Sequence, residues 1–235
     1  LQLHDREMHL RGSSLELVRH LDPNACRVKV GKELFTAAGP ALIEELHDRG
    51  FQVFLDLKFH DIPAQVEGAC RSAAALGVKL MTVHSTGGRA MLEAAVRGAA
   101  LGSSEGGFTE PAEVLAVTAL TSLDQSDLSD IGVKRSIDEQ VLALAQLAQA
   151  AGCHGVVASP KELPLLRSEL PSSFGILTPD IRPSGSEHGD QKRVTTPADA
   201  IRGGSDWLVV GRPIRNASNR SDATRAILEE MASVL

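Results

Sequence analysis

The segment Asp56-Leu57-Lys58-Phe59-His60-Asp61 places two carboxylates, an ammonium group and an imidazole within six residues. It continues an apolar run, FQVFL, that reads as a strand. Side chains alternate faces along a strand, so Asp56 and Lys58 are expected to point the same way. A second lysine, Lys29, stands in the preceding apolar run VKVG. Charges inside apolar strands are costly unless paired, and neighbouring strands lie only about 4.8 Å apart. Lys29 is therefore expected to reach Asp56, giving an alternating Lys–Asp–Lys array with Asp61 just past the strand end.

Two unit charges 4 Å apart interact by about 4 kcal/mol at an effective dielectric near 20. A carboxylate between two ammonium groups stays ionised well below neutral pH. Such an array can repel a substrate carboxylate, stabilise a carbanion beside an ammonium group and then supply its proton. That chemistry suits decarboxylation without a cofactor. The same residues could instead form an ion-pair network that fixes strand register. Their expected place, at the C-terminal ends of parallel strands, favours a site.

Further candidates lie downstream. In Val209-Val210-Gly211-Arg212-Pro213 a glycine follows an apolar run. Backbone N–H groups there, with the Arg212 guanidinium, could hold a phosphate. Arg182 and Gln191 belong to a long polar segment, RPSGSEHGDQKRVT at 182–195. A loop of that length after a strand reads as an active-site lid. His60 and His84 stand near strand ends with Asp56 and Asp61 in reach. Lys58 would compete with a metal there, so no metal is assigned, and His60 is expected to support its loop by hydrogen bonding.

These residues need a scaffold that gathers strand ends. Short apolar runs alternate with longer amphipathic ones. Strands are predicted over residues 26–31, 51–58, 79–84, 113–120, 155–158, 175–178 and 207–211. Helices are predicted over 33–49, 63–76, 89–101, 137–151, 161–169, 198–202 and 222–234. Ser159-Pro160-Lys161-Glu162 forms a capping box, Thr196-Pro197 repeats the device, and Ser13-Ser14-Leu15-Glu16 is expected to open a first helix. Residues 102–111, GSSEGGFTEP, read as a surface connector. Strict alternation implies a parallel sheet covered by helices. The expected fold is α/β, a single (β/α)8 TIM barrel over residues 1–235. Its first strand, residues 1–5 (LQLHD), is atypical or incomplete.

Composition narrows the function classes. The chain has 235 residues, 43% of them hydrophobic, and a net charge of −6 with both signs dispersed. No basic stripe points to nucleic acid or a membrane surface, and no apolar run reaches the ~18 residues of a membrane span. Residues 1–10 are mixed and charged, unlike a signal peptide. Cys26, Cys70 and Cys153 are scattered and odd in number. They read as buried reduced thiols of a cytoplasmic protein.

The chain resembles bacterial orotidine 5′-phosphate decarboxylases. The resemblance rests on CRVKVGKELF, GFQVFLDLKFHDIP, VHSTGG, VTALTS, TPDIRPSGSEHGDQKRVTTP and SDWLVVGRPI, in that order from about residue 22 onward. It implies conversion of orotidine 5′-phosphate to UMP and CO₂ in pyrimidine biosynthesis, with no metal or organic cofactor. It also implies a homodimer with shared active sites. Carried over by position, Lys58 would protonate C6, and Asp56 would press on the substrate carboxylate. Lys29 would hold the ribose and order Asp56, and Asp61 would serve the partner's site. Thr121 would sit by the pyrimidine. Arg182, Gln191, Gly211 and Arg212 would grip the phosphate and form the lid. Asp5 and Gln65 fall where the family contacts ribose.

Three departures stand out. Asp180 replaces a usual glycine, Ala64-Gln65 replace a usual Asn-Thr, and Asp5 sits about two residues further from Asp22 than usual. Two other readings stay open: a Mg²⁺-dependent sugar-phosphate lyase of a related barrel family, and a nucleotide-binding barrel with impaired catalysis.

Overall fold

The computed structural model describes residues 11–183 and 195–234. The predicted first strand at residues 1–5, with Asp5, lies outside the described residues, as does Gln191. The chain forms two compact units, Leu1–Leu115 and Ala116–Leu235.

Among the described residues, the first element of the first unit is helix α1 (residues 11–18). Then come β1 (Val28–Gly31), α2 (Lys32–Ala38), α3 (Ala41–Asp48), β2 (Val53–Phe59), α4 (Pro63–Ala75), β3 (Leu80–His84) and α5 (Arg89–Glu105). Strand β4 (Glu113–Val117) runs across the boundary between the units. β1 pairs parallel with β2, and β2 parallel with β3. Leu80, Met81, Thr82 and Val83 are all buried, as are Val53, Phe54 and Leu55. Continuous burial of successive residues means that both faces of these strands are covered, as a parallel sheet with flanking helices requires.

Two sequence expectations change here. The single helix predicted over residues 33–49 is two helices, α2 and α3, with Gly39 and Pro40 between them. Pro40 has no N–H to give, and its ring drives the residue before it out of helical backbone. Helix α1 is already running at residue 11, so Ser13 lies inside it and does not open it. Arg11 fastens this helix to α3 through a 2.8 Å ion pair with Glu45.

A third difference concerns α5. It runs on through Glu105, so the segment predicted to loop from residue 102 starts as helix. Gly98 and Gly102 lie one turn apart on the face turned to α4. A Cβ at Gly98 would stand 2.3 Å from the Glu67 carbonyl oxygen, and one at Gly102 would stand 2.0 Å from that of Arg71. These glycines therefore let two helix backbones touch, and they do not mark a loop. Ion pairs Arg97–Glu67 and Arg71–Glu105 flank the contact. Gly102→Ala should destabilise the protein by roughly 1–3 kcal/mol through overpacking, read as a lower midpoint in urea. An unchanged midpoint would mean the helices separate without cost.

The second unit contains α6 (Gln125–Asp130), α7 (Ile137–Ala150), β5 (Gly155–Val157), α8 (Leu163–Glu169), β6 (Gly175–Thr178), α9 (Pro197–Arg202), β7 (Trp207–Leu208), α10 (Arg212–Arg215) and α11 (Arg220–Ala232). β5 pairs parallel with β6, and β6 parallel with β7. The Ser159/Glu162 capping box and the Thr196 cap form as expected. Helix α6 was not predicted. Its signal was Asp124-x-x-Asp127, a capping box with Asp in both places. The described residues thus contain seven parallel strands, matching the seven predicted. No described helix is long and apolar enough to cross a membrane. Cys26, Cys70 and Cys153 form no disulfide; Cys70 and Cys153 are buried, and Cys26 is only partly buried.

Glu162 gives the second unit a pH response. Burial, with Asp138 adding to it, pushes its carboxyl up from 4.5 to about 7; its bond from Ser159 N–H and nearby Lys161 oppose the rise. The folded chain therefore holds this proton to higher pH than the unfolded chain. The resulting stability is fully present below pH 4.5 and is lost as pH rises through about 7. Glu162→Gln keeps the capping geometry without a charge. The variant should lose less stability than the wild type between pH 5 and pH 8 in urea titrations; parallel losses would rule Glu162 out as the source.

Candidate active site

The charged array predicted from the sequence forms in the first unit, though not by simple alternation. Between the pairs Leu55↔Met81 and Phe59↔Val83 the register of β2 on β3 shifts. Residues 56–58 of β2 are fitted there against Thr82 alone. Lys58 takes a left-handed backbone, φ 52°, which a side-chain-bearing residue adopts at a cost. Bulges of this kind re-aim side chains next to active sites.

The result is a tight cluster. Lys29 Nζ lies 3.0 Å from Asp56 Oδ2, and Lys58 Nζ lies 2.6 Å from Asp56 Oδ1. Asp56 keeps 12% of its side chain exposed, Lys58 25% and Lys29 36%. Gly31 faces Asp56 across β1 and β2. A Cβ at Gly31 would make only an ordinary contact with Lys29 Nζ, at 3.5 Å. Burial alone would raise the Asp56 pKa. The Lys29 and Lys58 charges and hydrogen bonds outweigh it and hold the carboxyl below its ordinary value.

Thr82 was not singled out from the sequence. It is fully buried, its hydroxyl donates to Asp56 Oδ1 at 3.0 Å, and it accepts the Lys58 N–H at 2.9 Å. A threonine in a strand is ordinary in sequence, and only the bulge opposite reveals its use.

His60 and His84 pack as a tilted ring pair with centroids 5.5 Å apart. His84 has a pKa below the usual histidine value, first from burial, then from His60, Lys32 and Lys58, with Asp56 opposing. Asp61 does not join the array. Its exposed carboxylate accepts the N–H of Ile62 at 2.6 Å. Gln65 is exposed on the first turn of α4, and the Ile62 side chain before that helix is 64% exposed.

The remaining candidates lie in the second unit. Thr121 Oγ1 donates to Asp180 Oδ2 at 3.2 Å. Asp180 has φ 62°, the positive φ that the glycine usual at this position tolerates best. Arg182 is buried, although it opens the long polar segment read as a lid. Its backbone N–H donates to Thr195 at 3.1 Å, beside the bridge between Ile181 and Thr195. Gly211 precedes the short helix α10, which begins with exposed Arg212. A Cβ at Gly211 would meet nothing within 4 Å, so no described neighbour excludes a side chain there.

Comparison with known proteins gives a consistent answer. Residues 8–227 match the family described as orotidine 5′-phosphate decarboxylase / HUMPS. An orotidine 5′-phosphate decarboxylase of Nitrosospira multiformis is 51% identical over 206 residues, covering 88% of this chain and 83% of that protein. One from Vibrio campbellii is 47% identical over 229 residues, covering 95% and 94%. The crystal structure of orotidine 5′-phosphate decarboxylase from Lactobacillus acidophilus has a TM-score of 0.83 at 36% identity, covering 94% of this chain and 93% of that one. The solved counterpart from Pyrococcus horikoshii, 23% identical, shares the fold with a TM-score of 0.73. The fold class is therefore the TIM barrel of these neighbours, and the chain belongs to the orotidine 5′-phosphate decarboxylase / HUMPS family.

Proposed function

We propose that this protein decarboxylates orotidine 5′-phosphate to UMP and CO₂, in the cytoplasm, as a homodimer and without metal or organic cofactor. The observation that carries the reading is a single desolvated carboxylate held between two ammonium groups, at 3.0 and 2.6 Å. Asp56 faces the substrate carboxylate and disfavours the ground state. The C6–carboxylate bond breaks, CO₂ leaves, and the electron pair stays on C6. The Lys58 ammonium stabilises that carbanion and then gives it a proton. Lys29 orders Asp56 and reaches the ribose.

The same reading assigns Thr121 to the pyrimidine and Arg182, Gln191, Gly211 and Arg212 to the phosphate and its cover. Asp5 and Gln65 are placed at the ribose, and Asp61 in the partner's site. It takes both units as parts of one barrel domain. Binding a remote phosphate supplies energy that the chemical step can use.

The test is the ultraviolet absorbance of orotidine 5′-phosphate with purified protein, followed with and without a chelator. Decarboxylation unaffected by chelation is expected. Activity on a sugar phosphate that is lost on chelation and restored by Mg²⁺ would move the assignment to a Mg²⁺-dependent sugar-phosphate lyase. UMP binding without turnover would leave a catalytically impaired barrel.

A further inference from the structure

The geometry points to Thr82 as the positioning residue of the charged array, the group that holds Asp56 and Lys58 in their reactive arrangement. The inference rests on the proposed decarboxylation and goes beyond it, since no substrate contact is required of Thr82. Between Met81 and Val83, Thr82 stands alone against residues 56–58 of β2. Its hydroxyl has one proton and two lone pairs. The Lys58 N–H, at 2.9 Å, takes a lone pair, and the proton goes to Asp56 Oδ1 at 3.0 Å. Lys58 Nζ bonds the same oxygen at 2.6 Å.

The four groups close a ring. It runs from the Lys58 backbone through the Thr82 hydroxyl to the Asp56 carboxylate, and back to the Lys58 side chain. One oxygen atom therefore fixes both ends of the lysine. It satisfies the N–H of a residue in left-handed backbone, φ 52°, and it sets the rotation of the carboxylate that the ammonium follows. Thr82 is fully buried, so water does not take over either bond without a rearrangement.

The experiment compares Thr82→Ser with Thr82→Ala, two variants that differ by that oxygen. Thr82→Val is the isosteric check should either fold poorly. Misplacement of reacting groups by about 1 Å costs roughly 100-fold in rate. Thr82→Ala is thus expected to lose about 100-fold in kcat relative to Thr82→Ser, with KM nearly unchanged because the phosphate-binding groups are untouched. A purely packing role would move the two variants together. Equal kcat in an active enzyme would overturn the inference.

A second readout needs no turnover. Carbon NMR of the Asp56 carboxylate should show it titrating at higher pH in Thr82→Ala than in Thr82→Ser, because the charged form has lost a donor. Among the described residues, Lys29 on β1, Lys58 on β2 and His84 on β3 are the charged or titratable groups that act on it, and they are common to both variants. Identical titrations would overturn the positioning role. Absence of decarboxylation in the wild type would instead sink the proposed function, and the titration would still decide the case for Thr82.

Discussion

Lys58→Ala is expected to lower kcat for orotidine 5′-phosphate by about 1,000- to 10,000-fold while leaving the protein folded. The loss combines the missing proton donor with the missing charge beside the carbanion. The fold survives because Asp56 keeps Lys29 at 3.0 Å and the Thr82 hydroxyl. Lys58 is also a quarter exposed, and its removal leaves no buried charge unpaired, so the large penalty of a broken buried pair is avoided. Lys58→Arg separates the two roles. It retains positive charge, but a guanidinium does not give up its proton at neutral pH, so the variant should be nearly as slow. Rapid-mixing kinetics with a thermal melt of each variant checks both halves. Turnover within tenfold of wild type in Lys58→Ala would remove the lysine from the chemistry.

The second large effect is a gain. Asp61→Ala and Lys58→Ala, each nearly inactive alone, should restore about a quarter of wild-type activity when mixed as unfolded chains and refolded together. In a two-fold dimer with shared sites, half of the random dimers are mixed, and each mixed dimer has one fully native site out of two. The structure motivates this pairing. Asp61 lies five residues from Asp56 but stands apart from the array, with its carboxylate turned to the Ile62 N–H. The adjacent Ile62 leaves 64% of its surface uncovered. No recovery on mixing would place Asp61 in its own subunit's site or outside the chemistry altogether.

Much of this was legible in the sequence, for identifiable reasons. Apolar runs buried on both faces announce parallel strands, and all seven predicted strands are present within a few residues. The Lys29–Asp56–Lys58 cluster was legible because charges in apolar strands must find partners. The route to it was not. Period-two alternation put Asp56 and Lys58 on one face, whereas a bulge and a left-handed lysine bring them together. Bulges depend on what the partner strand offers, here Thr82, and one strand read alone does not contain that information.

The helical errors have the same origin. Gly102 reads as loop because glycine weakens helices in isolation, but contact with the Arg71 backbone selects it. Pro40 was a local signal that a long amphipathic pattern overrode. Asp124-x-x-Asp127 was also local, but helix α6 is only six residues long and has little apolar periodicity to detect. Arg182 was read as part of a polar lid segment, and its burial depends on tertiary packing that a polar stretch of sequence does not announce.

The left-handed backbone at Lys58 has an evolutionary side. Glycine is the residue that this φ favours, and a side chain there costs on the order of 1 kcal/mol. A library screened for thermal tolerance alone would therefore drift toward glycine at position 58 and discard the ammonium group that the proposed mechanism uses as its proton donor. Folding and turnover make opposite demands on this residue. On the proposed mechanism, selection for turnover, and not for robustness of the barrel, would keep a lysine there.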